Sequence, residues 1–241
     1  MNFTGMAGPL LCGVLLGAMA AGAEEAPKTD APDAPATVKP LTVVVWGDSI
    51  AAGSGALQWP AIAERMCNLT LNTGRPVRVI NAGISGLPAA TARTQFAQKI
   101  MANAPDVVII QFGFNDLRYD GSRGNAPIST LAEFEAHLTD MVARCRDEAH
   151  ARVIVFGNHR TRVNLVLPSG RTYDEARADY ALIAQKVAAR AKVSYHDLAQ
   201  ELKVEGTMWT DFLADDGVHL SPLGFNAYGR FAANVIAQTV K

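Results

Sequence analysis

Leu41-Thr42-Val43-Val44-Val45-Trp46-Gly47-Asp48-Ser49-Ile50 is the stretch whose reading decides the fold. Residues 42–46 are apolar or β-branched without strict alternation, the pattern of a strand buried on both faces of a parallel sheet. Ser49 falls just past the carboxyl end of that strand, where open α/β sheets keep their reactive groups. Similar runs recur near 77–81, 106–112, 152–157 and 193–196. Helical patterns fill the intervals. Pro60 suits the first turn of a helix over 59–71. Thr130 with Glu133, and Thr172 with Glu175, form capping boxes for helices to 149 and 191. Ser221-Pro222 opens a last helix to 239, and another near 88–103 fills the remaining gap. This alternation predicts an α/β fold of three layers, a five-stranded parallel sheet with helices on both faces and right-handed crossovers. With strand order 2-1-3-4-5, the first and last helices share one face and the middle three the other. Cys67 and Cys145 then lie on opposite faces, and no bridge is expected between them.

Of the 241 residues 49% are apolar, enough for a buried core in one domain over 41–241. Net charge is −1 and no basic stripe follows any predicted element, so nucleic acid is not an expected partner. There is no zinc-spaced Cys/His cluster, phosphate loop or calcium loop, so no metal is expected. Leu10 to Ala23 is apolar, small and too short for a comfortable membrane span. It ends in Ala21-Gly22-Ala23, and residues 1–23 read as a signal peptide cleaved after Ala20 or Ala23. Its amino end lacks basic residues, unlike most signals. Cys12 follows Leu11 rather than the small residue a lipid-attachment site needs. Residues 24–40, with four prolines among Ala, Asp, Glu, Lys and Thr, read as a disordered linker. The expected location is therefore periplasmic or secreted, with no stable membrane insertion after cleavage.

Four polar clusters follow strands or lie near the chain end. Ser49 in Gly47-Asp48-Ser49-Ile50 is the candidate nucleophile; a serine hydroxyl needs a base within hydrogen-bond reach. This is not the Gly-x-Ser-x-Gly elbow. Taken alone, the tetrad reads more readily as a turn whose Asp48 or Ser49 caps a helix. His219 is the candidate base among five histidines, because Asp216 three residues earlier can orient its imidazole. Asp215 competes for that role. Gly86, in Asn81-Ala82-Gly83-Ile84-Ser85-Gly86, and Asn115, in Gly113-Phe114-Asn115-Asp116, are candidate oxyanion donors alongside the Ser49 amide. Each would otherwise be an ordinary turn or cap residue.

Together these blocks resemble the SGNH hydrolases, or GDSL esterase/lipase family. They occur in order: Gly47-Asp48-Ser49, Gly86, Asn115 and Asp216-x-x-His219, with Trp59-Pro60 resembling a dipeptide that often follows the first block. The resemblance spans about 41–240 and implies a flavodoxin-like fold, a Ser-His-Asp triad, a three-donor oxyanion hole and no cofactor. Phe114 departs from the small or polar residue many members carry, and would add an apolar wall to the pocket. The implied reaction is hydrolysis of a carboxylic ester. The absence of a long apolar lid points to short acyl groups and a small-molecule or glycan ester. A lysophospholipase or thioesterase acting on lipid, an O-acyltransferase, and a non-catalytic glycan- or lipid-binding module are the competing readings. His159-Arg160-Thr161-Arg162 follows the fourth strand and offers Arg160 as a substrate contact; Arg118, Tyr119 and Arg123 in the other long loop allow the same reading.

Overall fold

The computed structural model describes residues 38–71, 73–162 and 165–240. The expected signal peptide, Cys12 and most of the linker lie outside these residues. Strand β1 spans Leu41–Gly47 and has Val43, Val44 and Val45 wholly buried, each contributing about 1.5–3 kcal/mol. It pairs in parallel with β2 (Val77–Asn81) on one side and β3 (Val107–Gln111) on the other. Strands β4 (Arg152–Gly157) and β5 (Ser194–Asp197) complete the parallel order β2-β1-β3-β4-β5. The chain is thus the three-layer α/β fold expected.

Ser49–Ala52 forms a one-turn helix, α1, and Trp59–Thr70 forms α2 with Pro60 in its first turn. Ala89–Ala92 is α3, Phe96–Lys99 is α4, and Leu131–Asp147 is α5. Tyr173–Ala191 is α6, Leu198–Glu201 is α7, and Pro222–Thr239 is α8. Helices α2 and α8 pack together, with Trp59 and Tyr228 rings 5.9 Å apart. Helices α5 and α6 pack together, joined by α3. Cys67 on α2 and Cys145 on α5 are buried free thiols. Both capping boxes form.

The continuous helix expected over 88–103 is instead α3 and α4 separated by a 3₁₀ turn at Arg93–Gln95 and followed by another at Met101–Asn103. Ala89, Ala92, Phe96 and Ile100 keep helical spacing and are all buried, which is why the pattern reads as one helix. At the break the Thr94 hydroxyl donates to the Thr91 carbonyl at 2.7 Å, a side-chain bond that competes with the main-chain ladder.

Candidate active site

The sheet's carboxyl edge gathers the four polar blocks. β1 stops at Gly47, and Asp48 caps α1 by accepting the Ile50 N–H at 2.9 Å. Ser49 is the first residue of that turn, so its N–H has no intrahelical acceptor. Its Oγ lies 2.9 Å from His219 Nε2. On the other side of the ring, Nδ1 lies 2.5 Å from Asp216 Oδ2. Asp216 Oδ1 accepts the N–H groups of Val218 and His219 at 2.9 and 2.8 Å. Burial raises the Asp216 pKa, but the His219 bond and these two amides outweigh it and hold the carboxyl below its ordinary value. The choice between Asp215 and Asp216 is thus made by position: Asp216 meets the imidazole.

Asp48 is 1% exposed, and its second carboxylate oxygen is buried without a hydrogen-bond partner among the described residues. Burial pushes its pKa up to about 7, with the nearby Asp116 adding to the rise. Asp116 is itself raised by burial, against bonds from the Ser129 hydroxyl and the Ala89 N–H.

Gly86 has φ +78, and a Cβ built there meets nothing within 4 Å. Its backbone conformation, rather than crowding, reserves the position for glycine. Asn115 is 4% exposed. Its Oδ1 accepts Arg118 Nη1 at 3.1 Å, while its Nδ2 reaches the Leu87 carbonyl only at 3.4 Å. Ser49, Gly86, Asn115 and His219 line one cavity of about 460 Å³. Phe114 walls it together with Tyr173, whose hydroxyl donates to the Phe114 carbonyl at 2.6 Å. A second hollow of about 370 Å³ meets the first at Ser49 and runs past Gly53, Leu220 and Phe225.

Arg160 stands apart from this cavity. It is not among the cavity-lining residues; its guanidinium lies 4.9 Å over the Trp209 ring and 3.7 Å from Asp174, so charge and planar face are engaged elsewhere. Arg123 is held by Glu133 in two bonds of 2.6 and 2.9 Å, and Tyr119 lines a separate hollow. Arg118 does line the cavity. Tyr173 and Val218 were missed. For Tyr173 a signal existed: it directly follows the N-cap Thr172 of a helix entered from a strand, and such helix starts lie at the sheet's carboxyl edge. Among the described residues no group of three or more His, Cys, Asp or Glu could hold a metal ion.

The arrangement, a hydroxyl on an oriented imidazole at the carboxyl edge of a three-layer α/β sheet, is that of an acyl hydrolase. The sequence profile of the GDSL-like Lipase/Acylhydrolase family matches residues 45–227. Esterase TesA of Pseudomonas aeruginosa is 30% identical over 156 residues, covering 64% of this chain and 68% of its own. An acetylxylan esterase of Geobacillus stearothermophilus is 27% identical over 151 residues, covering 61% and 67%. The crystal structure of a lipase/acylhydrolase from Enterococcus faecalis superposes with a TM-score of 0.69 at 25% identity, covering 83% of this chain and 97% of that one. The chain therefore belongs to the GDSL-like lipase/acylhydrolase family. It is a carboxylic ester hydrolase.

Proposed function

We propose that the protein is an exported serine esterase that forms an acyl-enzyme on Ser49. One observation carries this reading: the unbroken line from Asp216 through His219 to Ser49, with steps of 2.5 and 2.9 Å. Ser49 Oγ attacks the acyl carbon and passes its proton to His219 Nε2, while Asp216 keeps the proton on Nδ1 and stabilises the imidazolium. The oxyanion sits against the N–H groups of Ser49 and Gly86 and the Asn115 amide. The imidazolium gives its proton to the departing alcohol. A water deprotonated by His219 then attacks the acyl carbon, and Ser49 leaves with the returned proton, releasing the acid.

The substrate is a short-chain ester, and an O-acetylated carbohydrate is the favoured class. The acetylxylan esterase relative and a cavity walled by Phe114 and Tyr173, rings of the kind that pack on sugar faces, support this. The second hollow, with Leu220 and Phe225 in its wall, is the observation that favours a lipid hydrolase acting on longer chains. Hydrolysis of p-nitrophenyl esters from acetate to decanoate by wild type and Ser49→Ala tests both. Activity that is lost in Ser49→Ala and highest on acetate supports the deacetylase; a maximum at eight or ten carbons moves the reading to a lipid hydrolase. Equal rates in the two proteins would remove Ser49 as nucleophile. Product analysis with added sugars separates hydrolysis from acyl transfer. Export rests on residues 1–23 and 24–40, and amino-terminal sequencing of protein from the periplasm or medium tests it.

A further inference from the structure

Segment 214–219 carries both Asp216 and His219, and among the described residues it contains no helix or strand. The Asp216–His219 bond orients the imidazole within this loop but does not place the loop over Ser49, which lies 170 residues away in the chain. The His159–Arg162 tetrad meets this loop at its main-chain carbonyls. Arg162 Nη2 and Nη1 donate to the carbonyls of Ala214 and Asp215 at 3.2 and 2.9 Å. The Arg162 N–H donates to the Gly217 carbonyl at 2.9 Å. His159 Nε2 meets the Val218 carbonyl at 2.8 Å. Gly217 has φ +72, and a Cβ there would lie 2.6 Å from Arg162 Cβ, so the two segments are in close contact.

The tautomer of His159 follows from its partners. A carbonyl only accepts, so Nε2 carries the proton and Nδ1 accepts from the Tyr228 hydroxyl at 2.5 Å. Gln111 Nε2 donates to that hydroxyl in turn at 3.4 Å. Gln111 ends β3 and pairs in register with Gly47, two residues before Ser49. A directed chain of bonds thus ties the strand ends beneath Ser49 to the peptide that precedes His219. The His159 ring is 3% exposed and receives the Phe114 ring edge-on at 5.1 Å.

We propose that His159 and Arg162 are positioning residues, holding the Asp216/His219 loop over Ser49 by its main-chain carbonyls. Neither is assigned a contact with substrate; both act through the loop. The proposal rests on His219 being the base. Misplacing such a group by about 1 Å can cost about 100-fold.

The test compares His159→Phe, Arg162→Met, His159→Gln and, as a neighbouring control, Arg160→Met. Turnover of p-nitrophenyl acetate, thermal unfolding and the low-field proton resonance of His219 Nδ1 are measured. His159→Phe and Arg162→Met are expected to lower kcat about 10- to 100-fold with KM within about threefold. Their His219 resonance should persist, because Asp216 moves with the loop, but should no longer respond to Ser49→Ala as it does in wild type. His159→Gln, which keeps a donor for the Val218 carbonyl, should recover part of the loss, and Arg160→Met should stay within about twofold. Folded His159→Phe and Arg162→Met proteins with wild-type kcat would overturn the proposal. So would an unchanged response of the resonance to Ser49→Ala. If His159→Phe does not fold, the partly exposed Arg162 carries the test. If wild type turns over no ester, the esterase reading fails, and the resonance still decides positioning.

Discussion

At Asn115 one amide has two unequal attachments. Its oxygen is bonded to Arg118 at 3.1 Å and its nitrogen weakly to Leu87 at 3.4 Å, so the nitrogen can exchange that partner for a developing oxyanion. Asn115→Ala should lower kcat about 100- to 1,000-fold with KM little changed, measured on p-nitrophenyl acetate. His159 gives a pH prediction. Burial lowers its pKa from 6.5 to about 4, so it stays neutral in the folded protein while the unfolded chain takes up a proton. A lowered histidine pKa contributes stability that is present above 6.5 and lost as pH falls toward 4. Burial raises the Asp48 pKa from 3.8 to about 7, which acts in the opposite direction across the same window. Comparing wild type with His159→Gln isolates the histidine: wild type should lose about 3 kcal/mol relative to the variant between pH 6.5 and 4, read by urea unfolding. That Ser49, His219 and Asp216 would meet was legible in sequence because each belongs to a short block with its own chemistry. The direction of Arg160 was not legible, because a sequence puts a loop at a sheet edge without saying which way its side chains turn; here the guanidinium lies by Asp174 and over Trp209.

The two capping boxes look alike in sequence but differ in what they hold. Thr130 starts α5, next to Ser129 and its bond to Asp116, whereas Thr172 starts α6 one residue before the cavity wall at Tyr173. Thr130→Ala and Thr172→Ala should each cost about 1 kcal/mol of stability. Only Thr172→Ala should also raise KM, severalfold, because it loosens Tyr173 and with it the Phe114 carbonyl. Chemical denaturation with steady-state kinetics on both variants checks this. The strands, the long helices and their starts were legible because the burial pattern and caps agree with each other. The break between α3 and α4 was not, since buried helical spacing continues through it.

Across the whole molecule the sheet separates the two thiols. Burial pushes Cys67 up to about 11 and Cys145 up to about 12, so neither supplies thiolate near neutrality. Both should resist a disulfide reagent until unfolding, and esterase activity should be the same with or without reductant. Strand order came with the flavodoxin-like fold that the family resemblance implies; given that order, right-handed crossovers deal the helices to the two faces. How the 214–219 loop is fastened was not legible, since its anchors are main-chain carbonyls, which every residue possesses.

The parallel sheet also gives the domain a base and a rim. β1 rises from Leu41 at one edge to Gly47 at the other, about 20 Å along the strand, so the chain enters on the side opposite Ser49. A support coupled ahead of Leu41 would grip the base and leave the rim facing outward. Immobilised that way, the catalyst could work on polymers too large to pass between it and its own carrier.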